Sequence, residues 1–225
     1  MGLYAIGDLH LSLSVPKPMD VFGPLWENYV ERIKQGFSSL GPDDVTVLCG
    51  DSSWGMNLEE ARQDLLFIDS LPGKKLILKG NHDYWWTTAA KMRAFFAANG
   101  IETIEILHNN CHFYGDYGVC GTRGWFLEES PEDTKVLNRE LIRLRASLGA
   151  AGEKEKLCFL HYPPKYEGYE CPEIIGIMRE FGVKRCFYGH LHGNSHRLAR
   201  RGEYDGIDYT LVSADFLRFK PYQVL

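Results

Sequence analysis

The chain has 225 residues, of which 44% are apolar and 24% charged, a balance that excludes a disordered or fibrous protein. A formal charge of −5 excludes a global basic field able to gather duplex nucleic acid, so any phosphate must be gripped locally. Neither a long apolar run nor a basic leader followed by an apolar stretch occurs, which predicts a cytoplasmic chain with no membrane attachment.

Gly and Pro cut the sequence into alternating strand-like and helix-like pieces without repeats or low-complexity linkers, and a single domain over residues 1–225 is the simplest reading. Leu3 to Ile6 is a short apolar run of strand type. A helical stripe of Trp26, Tyr29, Val30, Ile33, Phe37 and Leu40 follows and stops at Gly41-Pro42. Val45 to Cys49 reads as the next strand. Asn57, with Glu60 three residues on, caps a second helix whose stripe is Leu58, Ala61, Leu65 and Ile68. Lys75 to Leu78 is a third strand, and a third helix spans Thr88 to Asn99, giving a βαβαβ opening.

From Ile104 to Trp125, β-branched and aromatic residues are interrupted by Asn109-Asn110 and Gly115-Asp116-Tyr117-Gly118, the pattern of a strand meander that breaks the parallel order. Ser130-Pro131 with Asp133 predicts the cap of a fourth helix carrying Leu137, Leu141, Leu144 and Leu148. A strand at Leu157 to Leu160, a short helix near Ile174 to Phe181, a strand at Arg185 to Tyr188 and further strands complete an α/β order that two mixed sheets flanked by helices accommodate. Cys49, Cys158 and Cys186 sit inside strands and read as small core residues, whereas Cys111, Cys120 and Cys171 fall in less regular segments.

Strand after strand ends in a polar cluster: Gly7-Asp8-Leu9-His10, Gly50-Asp51, Gly80-Asn81-His82-Asp83, His161-Tyr162-Pro163-Pro164 and Gly189-His190-Leu191-His192. The carboxyl ends of strands line the ligand crevice of open α/β sheets, so clusters far apart in sequence can converge there. In an extended Asp-x-His or His-x-His the two side chains point the same way and can grip one ion. The donors are carboxylate, amide and imidazole only, a set suited to Mn, Fe, Zn or Ni rather than to thiolate-seeking metals. Residue frequencies give about 0.5 chance occurrences of Asp-x-His, but only about 0.03 of Gly-His-x-His and about 0.002 of Gly-Asn-His-Asp. The last two carry the signal.

With these blocks in this order, from Asp8 to His192, the sequence resembles the calcineurin-like metallophosphoesterase superfamily. The resemblance implies a four-layer α-β-β-α sandwich with two divalent metal ions per chain, Mn or Fe before Zn or Ni, at the top of its sheets. It implies Asp8, His10, Asp51 and His192 around one ion, and Asp51, Asn81, His161 and His190 around the other, with Asp51 bridging. A hydroxide shared by both ions would attack phosphorus in line, His82 would act near the leaving oxygen, and Asp83 would orient its imidazole. The serine/threonine protein phosphatases follow their second block with Asp-Arg-Gly and end their third in Glu. Here Ser52-Ser53-Trp54 and Asp83 stand instead, which points away from that subfamily. Arg123, in Gly121-Thr122-Arg123-Gly124-Trp125, is the substitute candidate for gripping phosphoryl oxygens, against the ordinary reading of a solvated loop Arg.

The expected function is therefore hydrolysis of phosphate mono- or diesters of small molecules or nucleotides. The alternatives are a nuclease, which the negative charge disfavours, and a non-catalytic metal-binding scaffold, which the complete ligand set disfavours.

Overall fold

The computed structural model of the protein describes residues 1–125 and 131–225, with side chains described for 1–125 and 134–225. The first half runs β1 (Leu3–Ile6), α1 (Tyr29–Phe37), β2 (Val45–Leu48), α2 (Leu58–Ser70), β3 (Lys74–Ile77), α3 (Ala89–Ala98) and β4 (Ile104–Ile106). There follow β5 (Cys111–Tyr114), β6 (Tyr117–Thr122), α4 (Pro131–Gly149), β7 (Glu155–Leu160), the small pair β8 (Lys165–Tyr166) and β9 (Tyr169–Glu170), and α5 (Pro172–Glu180). The chain closes with β10 (Arg185–Tyr188), β11 (Gly202–Tyr204), β12 (Ile207–Leu211) and β13 (Tyr222–Gln223).

Two mixed sheets form. The first has the order β13-β1-β2-β3-β4 and the second β11-β12-β10-β7-β6-β5. β1 to β4 are mutually parallel, as are β6, β7, β10 and β12, while the edge strands β13, β5 and β11 run antiparallel to their neighbours. The central parallel strands bury both faces, which is why they read as near-continuous apolar runs.

Strand alternation sorts these residues into three packed layers. Leu3, Ala5, Val47, Leu76, Leu157, Phe159 and Phe187 meet between the two sheets. Ile6, Leu48 and Ile77 point the other way, onto Ile33 and Phe37 of α1, Leu65 of α2 and Met92 of α3. On the outer face of the second sheet, Cys158, Leu160, Cys186 and Tyr188 pack against Leu144 of α4 and Ile174 and Met178 of α5. Helices, sheet, sheet, helices is the four-layer α-β-β-α sandwich that the resemblance implies.

Three expectations change in detail. The first helical stripe is broken: Trp26 ends a separate 3-10 turn at Pro24–Trp26, and Asn28 takes a left-handed φ of 52° before α1 begins at Tyr29. Gly23, at φ 118°, precedes that turn and Glu27 ends it, so Trp26 leaves the helix stripe and faces the end of the sheets. The predicted meander is divided between the sheets, since β4 pairs parallel with β3 while β5 and β6 form a hairpin in the other sheet. Consequently Cys111 and Cys120, expected in irregular segments, lie on paired strands directly opposite one another. The Ser130 and Asp133 cap lies outside the described residues.

Candidate metal centre

Every block falls just past the carboxyl end of a parallel strand: Asp8 after β1, Asp51 after β2, Asn81 after β3, His161 after β7, and His190 and His192 after β10. Because β1, β2 and β3 run the same way, and β7 and β10 do likewise in the facing sheet, these ends gather in one place. Asp8, His10, Asp51 and His190 all adopt positive φ, 60°, 46°, 51° and 72°, in a region non-glycine residues avoid. Backbone strain of this kind, about 1–3 kcal/mol per residue, persists where the surrounding structure holds it and clusters at functional sites. Gly80 shows why its block needs glycine: a Cβ there would lie 2.0 Å from the Asp51 Oδ1.

The side chains close around a buried space. Ligand atoms of Asp8, His10 and His192 lie within 4.8 Å of one another, and so do those of Asp8, Asp51 and His161. Asp51 Oδ2 is 3.7 Å from His10 Nε2 and 3.5 Å from His161 Nε2, so its carboxylate reaches both groups. Asp8 Oδ1 lies 3.4 Å from His192 Nε2 and 3.7 Å from His161 Nδ1. Asn81 Oδ1 faces His161 Nε2 at 2.6 Å and His190 Nδ1 at 3.0 Å.

The donor set fits cations. His161 Nδ1 sits 3.0 Å from the Cys49 carbonyl, which only accepts, so Nδ1 carries the proton and Nε2 presents a lone pair. That lone pair faces the carbonyl oxygen of Asn81, and two acceptors turned toward one another are relieved by an ion that both coordinate. His192 is set in the same way: Nδ1 is 3.0 Å from Asp215 Oδ1, and Nε2 lies 3.2 Å from His10 Nε2. Imidazole held through its second nitrogen by a carboxylate or carbonyl is the usual arrangement around a metal.

Electrostatics agree. Burial depresses His10 and His161, and it lowers His190 to about 3, so these rings are neutral donors at pH 7. Burial also opposes charge on Asp8, but His192, His161 and His10 outweigh it and hold that carboxyl well below its ordinary range. Asp51 is pushed up by burial and by the charges of Asp83 and Asp8, a crowding of carboxylates that a cation relieves. Burial alone would depress His192, yet Asp8 and Asp215 together push it up to about 10, showing how strongly this pocket attracts positive charge.

Asp215 was not singled out by sequence. Buried after β12, it accepts from the Gly193 amide at 2.9 Å and the Phe216 amide at 3.0 Å, and its Oδ1 is also 3.2 Å from His196 Nε2. Its signal was faint, a lone Asp past a strand with no glycine block. His196 thus shares with His192 the carboxylate that holds the latter's Nδ1.

His82 lies beside the ligands, its ring 5.7 Å from His10 and 4.5 Å from Trp54, and its backbone amide donates to Asp51 Oδ1 at 2.7 Å. Asp83 is placed otherwise than expected. Its carboxylate accepts from the amides of Asp51 and Ser52 at 2.9 Å, from Gly80 at 2.7 Å and from the Trp85 indole at 2.9 Å. His82 Nδ1 has no hydrogen-bond partner among the described residues. The reason is local: the Asp83 side chain turns inward to satisfy the loop amides, so it braces the second and third blocks instead of orienting His82.

Arg123 stays outside the ligand set. Its carbonyl accepts from the His161 and Tyr162 amides at 3.2 and 3.0 Å, while its guanidinium lies 5.0 Å over Trp125 and its Nε is buried without a hydrogen-bond partner among the described residues. Tyr162 links it to the site, its ring 4.3 Å from that of His190. Trp54 stacks on His10 at 4.9 Å, and Trp26 meets His10 and His192 edge-on at 6.0 and 5.8 Å. Trp85, by contrast, is buried in the core.

Comparison with known proteins agrees with this geometry. A family model described as calcineurin-like phosphoesterase matches residues 1–194. None of the curated protein sequences matches the chain. Among solved structures, phosphopantetheinyl hydrolase (PptH) of Mycobacterium tuberculosis superposes with a TM-score of 0.62 at 17% identity, covering 100% of this chain and 95% of that one. AQ665 of Aquifex aeolicus, a protein of unknown function, gives 0.57 at 16% identity with 99% and 95% covered. TT1561 of Thermus thermophilus gives 0.56 at 13% identity with 98% and 96% covered. At these identities the solved structures speak for the fold, and the family model, spanning most of the chain, speaks for descent: the chain belongs to the calcineurin-like phosphoesterase family.

Proposed function

We propose that this protein hydrolyses phosphate mono- or diesters of small molecules or nucleotides with two divalent metal ions, Mn or Fe before Zn or Ni, held by Asp8, His10, Asp51, Asn81, His161, His190 and His192. Family membership supports phosphoester hydrolysis as the reaction class. The observation that carries the finer reading is the pair of overlapping donor groups, Asp8-His10-His192 and Asp8-Asp51-His161, in one buried space. Asp51 is the bridging ligand in this reading, supported by the reach of its Oδ2 to both His10 and His161.

When bound, the two ions would supply Lewis acidity toward phosphoryl oxygens and an activated water. The chain's own residues do the rest. Cys49 and Asp215 hold His161 and His192 in their donor tautomers, and Asp83 clamps the loops that carry Asp51 and Asn81. His82, beside this space but outside the donor groups, is the residue for the leaving oxygen. Arg123 is the reserve cation for a phosphoryl oxygen, supported by its buried Nε, without a hydrogen-bond partner among the described residues, and its link through Tyr162.

The test is metal analysis of the protein after Mn loading, together with turnover of a panel of phosphomonoesters, phosphodiesters and a labelled single-stranded oligonucleotide. Two equivalents of metal and hydrolysis of small esters, both lost in Asp51→Asn, are expected. Preferred cleavage of the oligonucleotide would instead establish a nuclease. Metal bound without turnover of any ester would establish a scaffold.

A further inference from the structure

A cavity of about 290 Å3 opens beside the candidate centre. Part of its lining is imidazoles of the site, among them His82, and the rest is mainly the apolar side chains of Met19, Phe22, Trp26 and Trp54, with Trp54 packed on His10 and His82. Three of these four come from the segment between the first block and α1, which carries Pro16, Pro18 and Pro24 and only two short 3-10 turns. The start of this segment is anchored by the amide of Leu13, which donates to Asp64 Oδ1 of α2 at 2.8 Å.

Two of the polar groups on this lining are already engaged. The Trp54 indole N–H donates to the Met19 sulfur at 3.3 Å, and the Gly193 amide donates to Asp215 at 2.9 Å. A nucleobase brings several donors and acceptors on its edge and would leave them facing ring carbons, at the cost of lost hydration. An apolar group meets no such cost. The same segment leaves large apolar side chains open to solvent, Phe22 at 69% and its neighbour Val21 at 73% exposed, so the rim offers uncovered hydrophobic surface next to the buried Trp26.

We infer that the cavity is a subsite for an uncharged apolar group on the substrate, an aryl ring or a short alkyl chain attached to the reacting phosphate, with Trp54 and Phe22 as the residues that select it. The inference rests on the phosphoester reading of the adjacent centre. The phosphate end of such a ligand sits against the imidazoles while its organic group covers Phe22 and packs on Trp54, removing apolar surface of both partners from water. Aryl and alkyl groups share this chemistry and differ in shape, since flat rings can stack on indole and chains cannot.

Non-hydrolysable phosphonates separate binding from chemistry. Calorimetry on the Mn-loaded, full-length protein compares methyl-, hexyl-, phenyl- and adenosine-linked phosphonates, in the wild type and in Trp54→Ala and Phe22→Ser. The hexyl or phenyl compound is expected to bind at least about tenfold tighter than methylphosphonate, a gain that requires only partial burial of its carbons. In either variant that still binds methylphosphonate, and is therefore folded, the ratio of apolar to methyl affinity falls at least about fivefold. A steeper loss for phenyl than for hexyl in Trp54→Ala assigns the subsite to aryl groups, a steeper loss for hexyl assigns it to alkyl chains, and equal losses show an apolar subsite that takes either. Equal affinity for all four compounds, or tightest binding of the adenosine compound, overturns the inference and leaves the phosphoester reading standing. Binding of none of them, with no ester hydrolysed, overturns both.

Discussion

His82 carries two candidate roles that its surroundings separate. Burial lowers its pKa, and the neighbouring His161 lowers it further, so the ring is neutral at pH 7. A proton donor with a pKa below the ordinary 6.5 would make kcat/KM fall about tenfold per pH unit above that pKa, because only its shrinking protonated fraction works. A neutral ring donating a hydrogen bond leaves the rate flat from pH 6.5 to 8. The flat profile is the expected result, with His82→Ala lowering kcat by about 10²-fold or more while metal content is unchanged. Asp215 gives the second residue-scale test. Its carboxyl, held low by hydrogen bonds from His192 and His196 against the effect of burial, fixes His192 through Nδ1. Asp215→Asn is expected to weaken metal binding by about 10–100-fold in a competition titration, with the far-ultraviolet circular dichroism unchanged. The seven proposed ligands were legible in the sequence because each sits in a block of fixed spacing. Asp215 was not, because a positioning residue only has to reach one imidazole, and no spacing rule follows from that. Asp83 shows the converse: its block was legible, and its partner was not, since adjacency in sequence says nothing about which way a side chain turns.

Elements show the same division. The cap of α2 was readable, and Asn57 Oδ1 accepts from the Glu60 amide at 3.0 Å while Glu60 Oε2 accepts from the Met56 amide at 2.9 Å. The break before α1 was not, because helical spacing of apolar residues persists through a segment whose backbone Asn28 interrupts. Lys75 is a case where composition misleads about energetics. Read as the start of an apolar strand, it is 0% exposed, and its ammonium donates to the carbonyls of Asp69, Leu71 and Gly73. These acceptors close the turn between α2 and β3. Lys75→Met keeps a long apolar stem but takes the ammonium from the buried Leu71 carbonyl and the part-buried Gly73 carbonyl, while the Asp69 carbonyl keeps the Thr103 hydroxyl as donor; a buried acceptor left unpaired costs about 1–3 kcal/mol. The variant is therefore expected to lower the denaturation midpoint in urea with an unchanged m-value, despite its greater hydrophobicity. An unchanged midpoint would show that the turn closes without the ammonium.

At the scale of the whole molecule, the four layers were what the family resemblance implied, but the allocation of individual strands to the two sheets was not legible. Pairing is decided by packing between distant segments, as when β4 joins β3 and its neighbour β5 crosses to the second sheet. The candidate centre lies at the seam of that arrangement, where residues past strands of both sheets meet: Asp8 and Asp51 from one, His161, His190 and His192 from the other. Sheet-to-sheet packing between Leu76, Val47, Phe159 and Phe187 keeps the two halves of the site in register. Buried carboxylates and strained backbone at this seam cost stability, and cations that bind only the folded chain offset that cost. Saturating Mn at 100 times its dissociation constant contributes about 2.7 kcal/mol to unfolding free energy. For a chain of this length that corresponds to a rise in melting temperature of about 5–10 °C, which a chelator reverses. Asp51→Asn separates the causes. It removes one charge from the crowded group that includes Asp8 and Asp83, so its metal-free form is expected to melt at or above the metal-free wild type, while its gain on adding Mn is much smaller. Equal gains in wild type and variant would place the stabilising ion elsewhere on the molecule and remove Asp51 from the ligand set.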